Sequence, residues 1–200
     1  DFLRIGGQKS CKLAMINEDG SVSSNFVFDE SFTSNASNRK PSQIKFLNDT
    51  TIYVSLGNEL VKLNNKGEVY AEFSRQGITD PEWFVSQFKI LENNKIVTAS
   101  PNGVFMLNAD GSKDDNFNIP NFNGAGSTFG IGTLSSGILY HSYFTEVNGI
   151  SANQIAKINY DGSVDESFSP GYSEDFNIDL LTVVNKDEFI LFDAWGNEKS

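Results

Sequence analysis

Hydrophobic residues in this chain are grouped in short runs separated by polar, turn-forming residues. Runs at 13–16, 60–63, 104–107 and 155–158 are too short for helices and predict β-strands. Paired runs joined by short polar connections predict hairpins at 43–47 with 51–56, 85–91 with 95–99, 131–134 with 137–142, and 180–184 with 188–192. An apolar helical period does not occur, apart from an ambiguous stretch at 81–88.

One turn recurs after each run of the first kind. An Asn lies three residues before a Gly, and a Phe lies six residues after it. The four copies are Asn17, Asp19, Gly20 and Phe26; Asn64, Lys66, Gly67 and Phe73; Asn108, Asp110, Gly111 and Phe117; and Asn159, Asp161, Gly162 and Phe168. Asn, Asp and Gly favour tight turns, and the Phe is an apolar anchor suited to packing between units.

The repeat predicts the architecture. Each unit of 44 to 51 residues supplies two hairpins, hence one meander sheet of four antiparallel strands. Stacking such sheets radially buries both of their faces. The sequence therefore predicts one all-β domain over residues 1–200, a β-propeller of four-stranded blades. Its units 1 to 4 cover 1–40, 41–82, 83–127 and 128–175, and a partial unit 5 covers 176–200. A β-sandwich or an open solenoid is the alternative, although a solenoid coil needs only about 20 to 30 residues.

Both ends of the sequence fall in the middle of a repeat. Residues 2–7 match the second strand of a unit, and residues 193–200 follow the second strand of unit 5. Two interpretations follow: four blades closed by joining the last hairpin to the first three strands, or a part of a longer propeller. The surplus strand at 2–7 favours the longer propeller.

Unit 4 resembles the delta-sixty repeat β-propellers, a bacterial domain group of unassigned function. The resemblance rests on residues 137–144, on Val147-Asn148-Gly149, on 153–159, and on 161–165 with Phe168. Residues 3–7 resemble the family's glycine-glycine strand again, and unit 2 departs from the pattern in its turn and in the loop 74–83. The resemblance implies an extracellular or surface-associated propeller, often embedded in larger bacterial proteins, without assigned catalytic residues.

The charge and composition of the chain limit the classes of partner that it can bind. Fifteen Lys and Arg against 26 Asp and Glu give a net charge of −11, which repels phosphate backbones and anionic lipids. No apolar run reaches the 18 or so residues of a membrane helix. We therefore expect neither nucleic-acid binding nor direct membrane insertion. Cys11 is the only cysteine, which excludes an internal disulfide and a four-thiolate metal site.

The acidic turns resemble oxygen-rich calcium loops, but a structural turn is the better interpretation, because a calcium loop needs about six or more converging oxygens and Lys66 interrupts the series. We therefore expect no cofactor. Calcium is the one metal that the sequence leaves open. The densest ligand sets are Asn108, Asp110, Asp114 and Asp115, followed by Asn159, Asp161 and Asp165. His141, the sole histidine, has no second imidazole as partner, and no Gly-x-Ser-x-Gly nucleophile motif occurs, so we interpret it as a strand residue. Residues 121–127 are predicted to form an irregular loop between blades.

Aromatic residues in the predicted loops are the remaining candidates for a binding site. Trp83, Trp195 and Tyr172 are predicted to lie in loops, where a ring could stack on a sugar or anchor a protein. The first functional hypothesis is a non-catalytic, secreted or cell-surface module that binds a protein or the rest of a larger chain. As an accessory subunit of a surface assembly it is compatible with a lipoprotein anchor. The alternatives are a carbohydrate-binding propeller using these aromatics and a glycan hydrolase, for which no carboxylate pair stands out.

Overall fold

The computed structural model describes residues 4–5, 8–9, 13–28, 41–56, 59–76, 85, 87–100, 102–124, 128–171, 178 and 180–192. Most of the regular structure in these residues is antiparallel strand. The elements are β1 Arg4–Ile5, β2 Gln8–Lys9, β3 Pro41–Asn48, β4 Thr51–Leu56, β5 Glu59–Asn64, α1 Ala71–Gln76, β6 Gln87–Ile90, β7 Ile96–Ser100, β8 Gly103–Leu107, β9 Phe122–Asn123, β10 Thr128–Leu134, β11 Gly137–Ser142, β12 Glu146–Val147, β13 Ile150–Ser151, β14 Ile155–Ile158, β15 Leu180–Asn185 and β16 Glu188–Phe192.

Each of units 2, 3 and 4 contains one three-stranded antiparallel sheet. The sheets are β3-β4-β5, β6-β7-β8 and β10-β11-β14, and unit 5 contributes the hairpin β15-β16. The third strand leads into the repeated turn, which returns along that strand through a single bridge. The four bridges are Ile16↔Val22, Leu63↔Val69, Leu107↔Lys113 and Ile158↔Val164. The structure is thus an all-β propeller fold in which the outermost strand of a blade is reduced to one bridge.

Residues 13–16 of unit 1, predicted as a strand, are not a strand of a sheet in the structure, and Ile16 forms a single bridge with Val22. The same turn nevertheless follows it. Backbone bonds from the Asn17 N–H to the Ser21 carbonyl and from the Ser23 N–H to the Met15 carbonyl, each 2.8 Å long, flank this bridge. The turn hairpin therefore forms in unit 1 as it does in the complete sheets.

The first strands of successive sheets pack beside one another in the order β3, β6, β10, β15. Two equivalent glutamines join them: Gln43 Oε1 accepts the Phe88 N–H at 2.7 Å, and Gln87 Oε1 accepts the Ile131 N–H at 3.2 Å. In unit 4 the equivalent residue is Gly130, and β10 packs closely on β15. The small glycines of β10 therefore allow a closer approach of strands where no glutamine spans the gap.

Alternate residues of each hairpin face opposite neighbours. In β4, Ile52 and Val54 share an apolar cluster with Leu13 of unit 1. Tyr53, between them, shares a different cluster with Phe88 of unit 3. Because side chains alternate across a strand, every sheet has one face toward the preceding unit and one toward the following unit. The core is accordingly a series of clusters between blades.

The predicted irregular loop at 121–127 is wrong for two of its residues. Phe122 and Asn123 form β9, which pairs with β12 in a small sheet completed by β13. The cause is the Phe122 side chain, which is buried with its ring centroid 4.8 Å from that of Tyr140 and 5.0 Å from that of Phe144. Burial of this ring holds the segment against unit 4.

A short helix, α1, follows the turn of unit 2, where the sequence predicted none. It carries the repeated Phe73, which is buried and lies edge-on to Tyr53 at 5.3 Å between ring centroids. In units 3 and 4 an Asp at the third position after the glycine caps a different turn, whereas unit 2 has Tyr70 there. Without that competing side chain, the helix formers Ala71 and Glu72 continue as a helix.

In the described part of the chain, no helix has the length and hydropathy of a membrane span.

Glycines of the repeated turns lie against the preceding unit. Gly67, Gly111 and Gly162 have φ of +86°, +89° and +87°. A Cβ at Gly67 would lie 2.6 Å from the Val27 carbonyl oxygen, and one at Gly162 would overlap the Asn118 carbonyl. Gly20 has φ of +82° but no atom within 4 Å of such a Cβ. The turn thus requires glycine for its backbone conformation in unit 1 and for both conformation and space in the later units.

These geometries predict different costs for the same substitution. Gly20→Ala should lower the free energy of unfolding by only ~1–2 kcal/mol, the cost of a left-handed residue with a Cβ. Gly162→Ala should cost about 1–3 kcal/mol more, because its methyl group overlaps the backbone of unit 3. Urea denaturation of both variants measures the difference. Equal destabilisation by the two substitutions would contradict the close contact between units.

Candidate functional site

The acidic turns are closed by their own side chains. Oδ1 of Asp19, Asp110 and Asp161 accepts the backbone N–H of the Ser two residues later, at 2.9 Å in each case. The Ser hydroxyl donates to the same oxygen at 2.5, 2.6 and 2.7 Å. These hydrogen bonds lower the pKa of all three carboxyl groups. The prediction of a structural turn is confirmed.

Unit 2 closes the same turn with a different group. Asn64 Oδ1 accepts the N–H groups of Lys66 and Glu68 at 2.9 and 3.0 Å. The Asn64 amide in turn donates to the Glu68 carboxylate at 2.6 Å. The turn of unit 2 therefore closes without an aspartate, since Asn64 supplies the acceptor that the aspartate supplies in the other units.

A second carboxylate in units 3 and 4 pairs with a lysine. Lys95 Nζ lies 2.6 Å from Asp114 Oδ2, and Lys157 Nζ lies 2.8 Å from Asp165 Oδ2. The other oxygen of Asp165 accepts the Ser167 N–H and hydroxyl at 3.1 and 2.6 Å. The Lys157 and Ser167 bonds together lower the pKa of Asp165 to about 2. Both aspartates thus fix the turn that leads to the repeated Phe.

The two lysines lie at different positions of the blade. Lys95 directly precedes β7, at the position of Gly137 in unit 4, while Lys157 lies in β14, at the position of Met106 in unit 3. A Cβ at Gly137 would lie 3.5 Å from the Lys157 Cε. The glycine thus leaves space beside the lysine of unit 4, and each unit supplies its cation from one of two adjacent positions.

The calcium candidates are already engaged in these contacts. Asp110 bonds within its own turn and Asp114 is paired with Lys95, and Asp161 and Asp165 repeat this division in unit 4. Within the described ranges, no three His, Cys, Asp or Glu side chains converge as a metal-binding group. The carboxylate oxygens that are close together in the sequence are therefore bound to separate partners in the structure.

His141 lies in β11 and is fully buried, which confirms its interpretation as a strand residue. Its position in the blade is that of Ser55 in unit 2 and Ala99 in unit 3, both fully buried as well. A solute cannot reach the imidazole in this conformation. The three predicted binding aromatics, Trp83, Trp195 and Tyr172, lie outside the described residues, so their roles stay predictions.

A cleft among the described residues is formed where the hairpin turns of units 3, 4 and 5 meet. It has a volume of about 670 Å³, and Glu92, Asn93, Lys95, Ser135, Tyr160 and Lys186 contribute its polar and aromatic lining. Ile90 and Met106 add apolar surface. The cleft therefore combines both signs of charge with an aromatic ring and an apolar wall.

Hydrogen bonds hold the walls of this cleft in place. The Tyr160 hydroxyl donates to the Leu134 carbonyl at 2.6 Å, which joins the repeated turn to the β10-β11 turn. The Ser135 hydroxyl donates to the Asp187 carboxylate of the β15-β16 turn. Burial raises the pKa of Tyr160, and the carboxylate of Glu92 adds to the effect. The Tyr160 side chain remains partly exposed. A partner can therefore reach an aromatic ring whose position is already fixed by its hydrogen bond.

The sequence did not identify this cleft, because its residues come from three units. One signal was available in the repeat itself. Tyr160 follows the turn Asn, a position at which the other units have Glu18, Asn65 and Ala109. An aromatic residue in an otherwise small or polar turn marks unit 4 as different.

Comparison with known proteins supports the fold. Residues 135–168 match the model of a family described as a β-propeller domain of unknown function, DUF5122. The matched segment includes β11, β14 and the glycine turn of unit 4. No curated protein and no solved structure matches the chain. The match identifies a propeller repeat of unassigned function, and the finer resemblance to delta-sixty repeats stays a prediction.

The pairing of Asp165 predicts a dependence of stability on pH. Its pKa falls from 3.8 to about 2 on folding, so the unfolded chain takes up the proton first as the pH drops. The stabilisation is present above about pH 4 and is lost between about pH 4 and pH 2. Urea denaturation at several pH values should show a smaller loss over this range for Asp165→Asn than for the unchanged protein. Asp115→Asn, at an exposed position, is the control, and identical pH profiles for Asp165→Asn and the unchanged protein would contradict the pairing.

The engaged carboxylates also predict the response to calcium. We expect the melting temperature in excess CaCl₂ to equal that in EDTA, because a calcium ion would have to displace the Ser and Lys partners of Asp110 and Asp114. Differential scanning calorimetry measures both temperatures. A rise with calcium that disappears in Asp110→Asn would instead establish a site at that turn.

Proposed function

We propose that the protein is a non-catalytic β-propeller module that binds a protein partner at the cleft between units 3, 4 and 5. The observation that carries this proposal is the partly exposed Tyr160 ring, which is fixed at the meeting point of three blades. Tyrosine is frequent at protein interfaces because one side chain supplies apolar area and a polar group. A rigid aromatic also loses little conformational entropy on binding.

The chemistry of the rim favours a polypeptide over a small apolar ligand. Glu92 supplies negative charge close to Tyr160. Lys186 supplies positive charge, whereas Lys95 in the same lining is paired with Asp114. A partner surface of mixed charge would be oriented by these groups, since rim charges act mainly on specificity and association rate. The strongly acidic remainder of the surface favours partners with basic patches.

A non-catalytic role is supported by how the reactive groups of the described residues are used. The imidazole of His141 is buried within a blade, and the aspartates of the turns are bound to Ser or Lys. A nucleophile or general acid needs access to substrate as well as a suitable pKa. The described carboxylates with lowered pKa serve the turns in this fold.

We also place the module outside the cytoplasm, as an accessory subunit or domain of a bacterial surface assembly. This placement rests on the resemblance of unit 4 to surface-associated bacterial propellers. It agrees with the acidic net charge of −11, which keeps a secreted domain soluble and away from anionic lipids.

Site-specific photo-crosslinking in the native host tests the proposal. A benzophenone amino acid replaces Asn93, an exposed residue of the cleft, and in a second protein it replaces Glu18, an exposed turn residue of unit 1. We expect one discrete protein adduct from position 93 and none from position 18. Adding Tyr160→Ser should reduce the adduct at least about tenfold, as expected for loss of an aromatic hot spot worth ~1.4 kcal/mol or more.

Tyr143→Ser is the matched control, because Tyr143 is an exposed tyrosine of the same unit outside the cleft. It should leave the adduct unchanged. The same adduct from positions 93 and 18, or equal loss in both tyrosine variants, would refute the cleft as the binding site. A saccharide-dependent change in tryptophan fluorescence that Trp83→Ala or Trp195→Ala abolishes would support carbohydrate binding in its place.

A further inference from the structure

Charge is divided between the two sides of the cleft. Glu92 belongs to the β6-β7 turn of unit 3, and Lys186 belongs to the β15-β16 turn of unit 5. Ser135 and Tyr160 line the cleft from unit 4, whose first strand, β10, packs on both β6 and β15. A ligand that crosses unit 4 in this cleft therefore meets negative charge on one side and positive charge on the other.

Most other polar groups of the lining already have partners within the protein. The hydroxyl groups of Tyr160 and Ser135 both donate hydrogen bonds to neighbouring turns. Asn93 Oδ1 accepts the Lys95 N–H at 3.0 Å, and the ammonium group of Lys95 is paired with Asp114. These groups shape the cleft, and a ligand could bind them only by replacing a partner that is already in place.

The carboxylate of Glu92 and the ammonium group of Lys186 differ from these groups. Both side chains are exposed, and within the described residues neither charged group makes a hydrogen bond or an ion pair. A ligand can therefore bind either charge without breaking a contact of the fold. Leaving an internal partner unsatisfied would cost free energy, and that cost does not arise here.

Glu92 acts together with the ring of Tyr160. Burial raises the pKa of Tyr160, and the Glu92 carboxylate raises it further, so the negative charge is felt at the phenol group. Tyr160 is 38% exposed, and its hydroxyl is held by the Leu134 carbonyl at 2.6 Å. An aromatic face attracts a cation, and a carboxylate accepts two parallel hydrogen bonds from a guanidinium group. Arginine combines both contacts, because its planar group stacks on rings and pairs with carboxylates.

We propose that the partner bound in this cleft places an arginine side chain against Tyr160 and Glu92 and an acidic side chain at Lys186. This inference rests on the proposed binding function and names the chemistry of the bound segment. Lysine fits the first position less well, since its ammonium group cannot form the parallel pair of hydrogen bonds. The net charge of −11 also favours a basic residue, because it attracts cations during the approach of the partner.

Titration of the isotope-labelled chain with a short peptide tests the arginine position. The peptide glycine-arginine-glycine, blocked at both ends and used at millimolar concentration, should shift the backbone NMR signals of Asn93 and Tyr160. The citrulline peptide has nearly the same shape without the charge and should not shift them. Glu92→Gln should weaken binding of the arginine peptide at least about fivefold, because the charged hydrogen bonds are lost. Glu18→Gln, at an exposed position of unit 1, is the matched control and should leave the affinity unchanged.

The photo-crosslinked adduct at position 93 tests both positions with the partner itself. Glu92→Gln should reduce the adduct at least about fivefold, and Lys186→Gln should reduce it about threefold, as expected for loss of a more exposed ion pair. Lys113→Gln is the control for Lys186, because Lys113 is an exposed lysine outside the cleft. It should leave the adduct unchanged. Circular dichroism should show the same fold for all of these variants, since each replaces an exposed side chain.

The outcomes separate this inference from the proposed function. An arginine peptide that leaves both signals unchanged, or a citrulline peptide that shifts them equally, would overturn the arginine position. An adduct that depends on Tyr160 but is unaffected by Glu92→Gln and Lys186→Gln would overturn both charged positions and keep the cleft as the binding site. Binding of the arginine peptide without any adduct at position 93 would refute the protein partner and leave the arginine position supported.

Discussion

Contact between the turn glycine of one unit and the backbone of the unit before it governs this structure. Gly111 and Gly162 need positive φ, and each also lies so close to a carbonyl of the preceding unit that no side chain fits. Only glycine meets both requirements. The contact fixes the distance between successive turns, and backbone bonds such as Asn118 N–H to the Asp161 carbonyl at 2.8 Å add direction to it. The apolar clusters between blades pack within the distance that this contact sets.

Once the spacing is fixed, the side chains that fill it can change from unit to unit. Gln43 and Gln87 reach across to the next first strand, while Gly130 replaces them where β10 and β15 lie closer together. A lysine pairs with the capping aspartate from either of two adjacent positions, as Lys95 or Lys157. The repeat therefore preserves distances and hydrogen-bonding roles more strictly than residue types, and this explains why its sequence signature is limited to the turn and the Phe.

Features that depend on local sequence were predictable, and features that depend on neighbouring units were not. Strands β4, β11 and β16 occupy the predicted positions, because short apolar runs between polar turns have few other conformations. Strand β9 was missed because only burial of Phe122 against Tyr140 makes it a strand. The cleft was missed for the same reason, since no single stretch of sequence contains it. Tyr160, the aromatic residue in the repeated turn, was the one feature of the local sequence that indicated the cleft.

The cleft depends on the β15-β16 hairpin of unit 5. Lys186 in the turn of this hairpin lines the cleft, and Asp187 beside it accepts the Ser135 hydroxyl of unit 4. A contact that orders this hairpin would also order the Lys186 side of the cleft, and a partner held in the cleft would in turn restrict the hairpin. Coupling between two sites is reciprocal in free energy. Because β10 and β15 pack side by side, the packing of unit 5 on unit 4 is therefore linked to binding in the cleft through this hairpin.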